Sequence, residues 1–315
     1  MRIARKAVFF VASVVLGTVV SSEAAWVQGR MGSIAYGLFL PKNYSTSTKY
    51  PVVIKLHGAG QRGLTLINLQ DQDATILTSD TSQAKYPCIV YAPQCPENAQ
   101  WVNTPWGNGT YSTATVAESH PIKEALEFLE DSLIVKYSVD TNRIYLTGGS
   151  MGGYGVWDVL CRHPQRFAAA VPIAGAGDTS KASVFASTVP VWIFHGTNDE
   201  IVPVSGSRQM KDAIIKAGVT PKYNEYIFQQ LNRNGFQIYG NHIWMLPIPI
   251  EPQLMPWLFS QSKASTALHR STKVAGGIRA PKAVSLRIAS SKNRVEIKVT
   301  SAHSNRTFDI RGQVR

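Results

Sequence analysis

Cysteine is scarce in this chain. Its 315 residues carry three, Cys88, Cys95 and Cys161. An odd number excludes a fully paired intramolecular disulfide framework. Cys88 and Cys95 flank the β-branched run 89–92, and an extended strand would hold them roughly 20 Å apart, far beyond disulfide reach. All three are expected to be buried free thiols. No cluster of Cys and His has the spacing of a zinc site. Long apolar runs are also few: beyond the N-terminal segment none is long enough to cross a bilayer. Acidic residues number 20 against 32 Lys and Arg, for a formal net charge of +12. That excess is localised. Residues 25–262 carry 17 basic and 17 acidic side chains, whereas 263–315 carry 12 basic and 2 acidic. The basic tail is dispersed and lacks stacking aromatics, so binding of nucleic acid by the whole chain is unsupported.

The N-terminus has the layout of an export signal. Arg2, Arg5 and Lys6 precede an apolar run of 14 residues, 7–20. Ser22 and Ala24 put small side chains at the −3 and −1 positions of a cleavage site. The expectation is a secreted or periplasmic protein that loses residues 1–24 and keeps no membrane span. An uncleaved anchor is the alternative.

Short apolar runs recur at 52–56, 89–92, 144–146, 169–173 and 191–194. Continuous apolar strands of this kind are buried on both faces, as in parallel sheets. Helical patterns lie between them. Residues 122, 125, 126, 129 and 133 place an apolar face on a helix over 121–136, and 205–217 reads as another helix, closed by Gly218. Alternation of strand and helix predicts an α/β fold with a doubly wound, mostly parallel sheet, preceded by a hairpin over 32–40. Its active groups should stand at the carboxyl ends of the strands. The catalytic domain is expected to span 25–261. Residues 262–282 read as a Ser, Thr, Ala, Gly and Lys-rich linker. Residues 283–315 alternate in β fashion, with Val284, Leu286 and Ile288, then Val295, Ile297 and Val299, then Phe308 and Ile310. This small C-terminal β appendage resembles the sorting or anchoring domains of some secreted bacterial enzymes. A solvated basic tail is the competing reading. Its +10 charge would favour association with an acidic cell wall or polysaccharide.

The densest signal is Gly148-Gly149-Ser150-Met151-Gly152-Gly153. It follows the β-rich run 143–147 and precedes the helix-compatible run 154–160. Strand, G-x-S-x-G, helix is the setting of a nucleophile elbow, in which the serine sits on a sharp turn and the glycines avoid collision with a neighbouring strand and helix. Ser150 is therefore the candidate nucleophile. A serine nucleophile needs a base, and the base needs an orienting acid. Asp199 follows the run 191–194 and is the natural acid. Glu200 would point elsewhere and Asp178 is the reserve. Of the later histidines, His269 and His303 fall in the linker and tail, which leaves His242 as the base. The oxyanion donors should be the N–H of Met151 and one from the glycine-rich loop after the run 52–56, Ala59 or, alternatively, Gly60. His57 is expected to pin that loop.

These segments together resemble one group of the α/β-hydrolase superfamily: secreted carboxylesterases, feruloyl and acetylxylan esterases, and predicted peptidases related to prolyl oligopeptidase. The matching strings are LHGAGQRG (56–63), YAPQCP (91–96), RIYLTGGSMGGYGVWD (143–158), FAAAVPIAGAGD (167–178), VWIFHGTNDEIVPV (191–204) and the stretch 240–261. The resemblance places the family's serine, aspartate and histidine on Ser150, Asp199 and His242. It implies ester hydrolysis through an acyl-enzyme, with no metal or organic cofactor. One departure is the run of Pro247, Pro249, Pro252 and Pro256, which predicts a more extended segment after the histidine.

The loop 94–111 should overhang the site. Gln94, Trp101 and Trp106, with Trp244 beside His242, are the candidate substrate contacts; core anchoring is the alternative for Trp101 and Trp106. Export, aromatic loop and basic tail favour feruloyl or acetyl esters on plant polysaccharide as substrate. A broad short-chain carboxylesterase and a serine peptidase are the rivals. A non-catalytic binding protein would lack a triad member, and none is lacking.

Overall fold

The computed structural model describes residues 24–63, 72–227, 241–243, 245–263, 265–266, 285–291, 294–301 and 304–308. The chain forms two compact units, residues 1–267 and 268–315.

The first unit is built on eight strands: β1 (Ala25–Met31), β2 (Ile34–Leu40), β3 (Tyr50–Leu56), β4 (Ile89–Gln94), β5 (Val139–Gly149), β6 (Ala169–Ile173), β7 (Trp192–Gly196) and β8 (Lys222–Tyr226). Their spatial order is β1-β2-β4-β3-β5-β6-β7-β8. β1, β2 and β4 pair antiparallel, and from β4 to β8 every pairing is parallel. This is the α/β-hydrolase sheet, and the doubly wound expectation holds. Every residue of β3, β4, β6 and β7 is buried, as continuous apolar runs in a sheet covered on both faces should be. The early hairpin is longer than 32–40, because β1 supplies its first arm and turns at Gly32.

The helices are α1 (Gln72–Thr78), α2 (Asp80–Lys85), α3 (His120–Phe128), α4 (Ile134–Lys136), α5 (Met151–Arg162), α6 (Ala182–Phe185), α7 (Ser205–Lys216) and α8 (Leu254–Ser260). The helix expected over 121–136 is α3 and α4 joined through a π turn at Leu129–Leu133. Leu129 and Leu133 stay fully buried through that turn. Ser119 caps α3 by accepting the Ile122 N–H, and Pro121 occupies its first turn, where a missing N–H costs nothing. α7 ends before Gly218, whose φ of +87° suits a residue without Cβ.

Two differences from expectation have physical causes. β8 carries Lys222, Asn224 and Glu225 and is half-exposed at the sheet edge, so no apolar run announced it. The proline-rich segment after His242 is not uniformly extended. Glu251 N–H donates to the Pro247 carbonyl at 2.7 Å to close a turn, and α8 then begins at Leu254. Pro256 falls in the first turn of α8, where helices tolerate proline.

In the second unit β9 (Ser285–Ser291), β10 (Arg294–Ser301) and β11 (Ser304–Phe308) form an antiparallel sheet in the order β11-β10-β9. Ser291 pairs with Arg294 and Ser301 with Ser304. The described part of this segment is a three-stranded β meander. Ile310 and the rest of the expected final strand lie outside the described residues.

Candidate active site

Ser150 stands between the end of β5 and the start of α5, with φ 58° and ψ −121°. A non-glycine residue at positive φ is strained and persists only where its surroundings hold it. Here Ser150 N–H donates to the Ile173 carbonyl at 2.9 Å, and Ser150 carbonyl accepts from Tyr154 N–H at 3.1 Å. A Cβ on Gly148 would come within 2.7 Å of the Leu56 carbonyl oxygen, and one on Gly152 would run into that same oxygen. Both flanking glycines are therefore imposed by the close approach of β3, as the G-x-S-x-G spacing implied.

Asp199 lies three residues beyond β7 with its side chain fully buried. Its Oδ2 accepts from His242 Nδ1 at 2.7 Å. Its Oδ1 accepts the N–H groups of Ile201 and Val202 at 2.9 and 2.8 Å. Burial opposes ionisation of this carboxyl, but hydrogen bonds from His195, His242 and Val202 N–H outweigh it and hold the group well below the usual carboxylate range. Because Oδ2 is an acceptor, the hydrogen of neutral His242 sits on Nδ1 and Nε2 is left to accept a proton. The alternatives are spent elsewhere. Glu200 is exposed, and Asp178 is saturated by Thr113 and Ser180.

The loop after β3 approaches the elbow closely: a Cβ on Gly58 would sit 3.9 Å from Ser150 Cβ. Ala59–Gln61 form a short 3-10 turn. Gly58 N–H is taken by Gln61 Oε1 at 3.2 Å, whereas the first N–H groups of such a turn, those of Ala59 and Gly60, have no acceptor within it. The same holds for Met151 at the start of α5. His57 pins this loop from behind. Its Nε2 accepts Cys95 N–H at 2.9 Å, so the hydrogen is on Nδ1 and donates to the Gly58 carbonyl at 2.7 Å. Arg62 Nε donates to the Ala59 carbonyl at 3.0 Å. The guanidinium lies 5.9 Å from the centre of the Trp106 ring.

Ser150, His242, Gly58, Ala59, Gly60, Gln61, Trp106 and Ile201 line one cavity of about 380 Å³. Of the residues expected to contact substrate, Trp106 lines this cavity. Trp101 is wholly buried and its Nε1–H donates to the His57 carbonyl. Gln94 is also wholly buried and donates to the Gln61 carbonyl. Neither lines the cavity; both brace the loop that does. Trp244 lies outside the described residues. Gln61 and Ile201 were not anticipated as lining residues, although both sit within the strings that carry Ala59 and Asp199. The loop bearing Trp106 is anchored on α5 and beyond β6: Tyr111 OH donates to buried Asp158 at 2.9 Å, and Thr110 Oγ1 to the Gly177 carbonyl at 3.0 Å. Among the described residues no His, Cys, Asp and Glu gather as a metal site. No described helix is long and apolar enough to cross a membrane.

The pattern of the Esterase family matches residues 31–244, which contain every element of this site. The chain belongs to the Esterase family. This esterase is 26% identical over 170 residues to a bifunctional acetylxylan esterase/xylanase of Neocallimastix patriciarum, an alignment covering 52% of this chain and 21% of that enzyme. It is 23% identical over 188 residues to feruloyl esterase D of Neurospora crassa, covering 58% of each. A thermostable esterase of known structure superposes with a TM-score of 0.65 at 33% identity, covering 78% of this chain and 64% of that one. The esterase thus spans about a fifth of the bifunctional enzyme and less than two thirds of the other two.

Proposed function

We propose that this esterase hydrolyses carboxylic esters through a Ser150–His242–Asp199 triad, with feruloyl or acetyl esters of plant polysaccharide as substrate. The observation that carries the reading is the buried Asp199–His242 hydrogen bond opening into the same cavity as Ser150 at its strained φ. His242 Nε2 takes the proton of Ser150 as Oγ attacks the ester carbonyl. The carbonyl π pair moves to oxygen, and the resulting oxyanion is held by the N–H of Met151 and that of Ala59 or Gly60. Collapse breaks the ester C–O bond, and His242 returns the proton to the leaving alcohol. Water repeats the sequence, releasing the acid and free Ser150. None of these steps calls for a metal or organic cofactor. The aromatic wall at Trp106 suits a planar acyl group, and the two curated relatives are named for acetylxylan and feruloyl esterase activity. Export through residues 1–24, with 262–282 as linker and 283–315 as an anchoring module, belongs to the same reading.

The test is a hydrolysis panel with wild type and Ser150→Ala: methyl ferulate, acetylated xylan, p-nitrophenyl acetate, a long-chain p-nitrophenyl ester and a prolyl amide. The proposal expects turnover strongest on ferulate or acetylxylan, reduced by several orders of magnitude in Ser150→Ala. Preference for p-nitrophenyl acetate would make this a broad short-chain carboxylesterase. Activity confined to the amide would make it a peptidase.

A further inference from the structure

A second imidazole lies behind Asp199. His195, in β7, is fully buried. Its Nε2 is 3.0 Å from the Val202 carbonyl oxygen and 3.4 Å from Asp199 Oδ2. Both of these partners only accept, so Nε2 carries a hydrogen. Its Nδ1 is 2.7 Å from Ser207 Oγ on α7, a hydroxyl that also lies 3.2 Å from the Gly175 carbonyl. Two imidazoles, one from β7 and one from the loop at His242, thus converge on the same carboxylate oxygen, while backbone N–H groups hold the other.

We propose that His195 is a positioning residue of the triad, which donates from Nε2 to Asp199 Oδ2 and is itself held by Ser207. It touches neither ester nor nucleophile and acts through Asp199. Two consequences follow. The carboxylate cannot rotate away from His242 without breaking contacts on both of its oxygens. Part of its charge is also engaged by His195, so His242 meets a weaker anion than it would beside a carboxylate with one imidazole. Removing the His195 donor returns that charge to His242, which favours the imidazolium and disfavours the neutral base. The charged and titratable groups around this cluster are Asp199 and His242, Tyr154, whose hydroxyl feels the Asp199 charge, and Glu225, beside His195 in the sheet register and paired with Arg208.

The inference rests on the triad reading above, and the experiment separates the two. His195→Leu and His195→Gln are compared with wild type and Ser150→Ala on p-nitrophenyl acetate across the pH range, with thermal melts of each variant. His195→Leu is expected to lower kcat by about 10- to 100-fold, the loss of one hydrogen bond to a buried charge. KM should stay within about twofold, and the acid limb of kcat/KM should move to higher pH. His195→Gln, which keeps a donor, should recover most of kcat. Wild-type kcat and pH profile in a folded His195→Leu would overturn the inference. So would equal losses in both variants with an unmoved acid limb, since that is the signature of packing alone. Should His195→Leu fail to fold, the ring ¹H–¹⁵N shifts of His195 in wild type and Asp199→Asn decide: an Nε2–H signal that moves when the carboxylate is replaced supports the assignment, and one that stays in place, held by the Val202 carbonyl alone, overturns it. Activity that survives Ser150→Ala would defeat the triad itself.

Discussion

The indole N–H of Trp101 donates to the main-chain oxygen of His57 at 2.9 Å, and the two rings meet edge-on with centroids 5.2 Å apart. His57 in turn holds the Gly58 carbonyl, so the loop facing Ser150 is braced by a residue more than forty positions away in sequence. Trp101→Phe removes this hydrogen bond to the His57 oxygen. The expected loss is about 0.5–1.5 kcal/mol of stability, read as a lower urea midpoint. A fall in kcat larger than any rise in KM should accompany it, because a loosened loop places its N–H groups poorly.

Gly152→Ala tests the elbow. The added methyl meets the Leu56 carbonyl oxygen, and β3 cannot retreat without giving up its pairing with β5. Overpacking of this kind costs about 1–3 kcal/mol or more. The variant should melt well below wild type and lose hydrolysis at temperatures where it remains folded. Gly107→Ala is the control, since a Cβ there meets nothing within 4 Å.

Asp199 makes stability depend on acid in a defined direction. Its folded carboxyl binds a proton more weakly than that of an unperturbed aspartate, whose pKa is about 3.9. The stabilisation is therefore complete above about pH 4 and is lost as the pH falls below that toward the depressed folded value. The gap in Tm between wild type and Asp199→Asn should hold steady from neutral pH down to about pH 5 and narrow below about pH 4. A gap that widened on acidification would contradict the assignment.

Trp106 lines the cavity beside Ser150 and is expected to govern acyl selectivity. Trp106→Ala is expected to raise KM for methyl ferulate by about tenfold, the worth of one aromatic contact. Turnover of p-nitrophenyl acetate should change little. Equal effects on both esters would mean that Trp106 serves only to anchor its loop.

The thiols offer an independent check on packing. Cys88, Cys95 and Cys161 are all buried, and burial pushes each thiol up to about 12. A thiol-exchange reagent at pH 8 should label none of them in the native protein and all three after denaturation.

The fold class was legible from residues near in sequence, and so were the candidates for nucleophile, acid and base in the proposed triad. Apolar runs such as 52–56 and 169–173 mark strands buried on both faces. The spacing of Gly148, Ser150 and Gly152 marks a turn that only small side chains allow. Asp199 stands just beyond one such run, and His242 is the one later histidine outside the linker and tail. Each is a local pattern, set by chain geometry and burial within a few residues. Edge strand β8 escaped this reading because it carries no apolar run, and the helix through Pro256 because the surrounding prolines masked its buried face of Leu254, Met255 and Leu258.

The brace behind the site could not be read this way. Whether Trp101 or Trp106 faces the cavity depends on how their loop lies across α5, which is set by contacts such as Tyr111 with Asp158. Gln94 looked like a substrate contact from its place at the end of the run 89–92, yet it turns inward to the loop of Gln61. His195 and Ser207 are twelve residues apart, and only the packing of α7 against β7 joins them and sets both behind Asp199. Local sequence determines which elements form and where each chemical group begins. The direction in which a side chain finally points is decided by partners distant in sequence, because a buried polar group settles where its hydrogen bonds can be met.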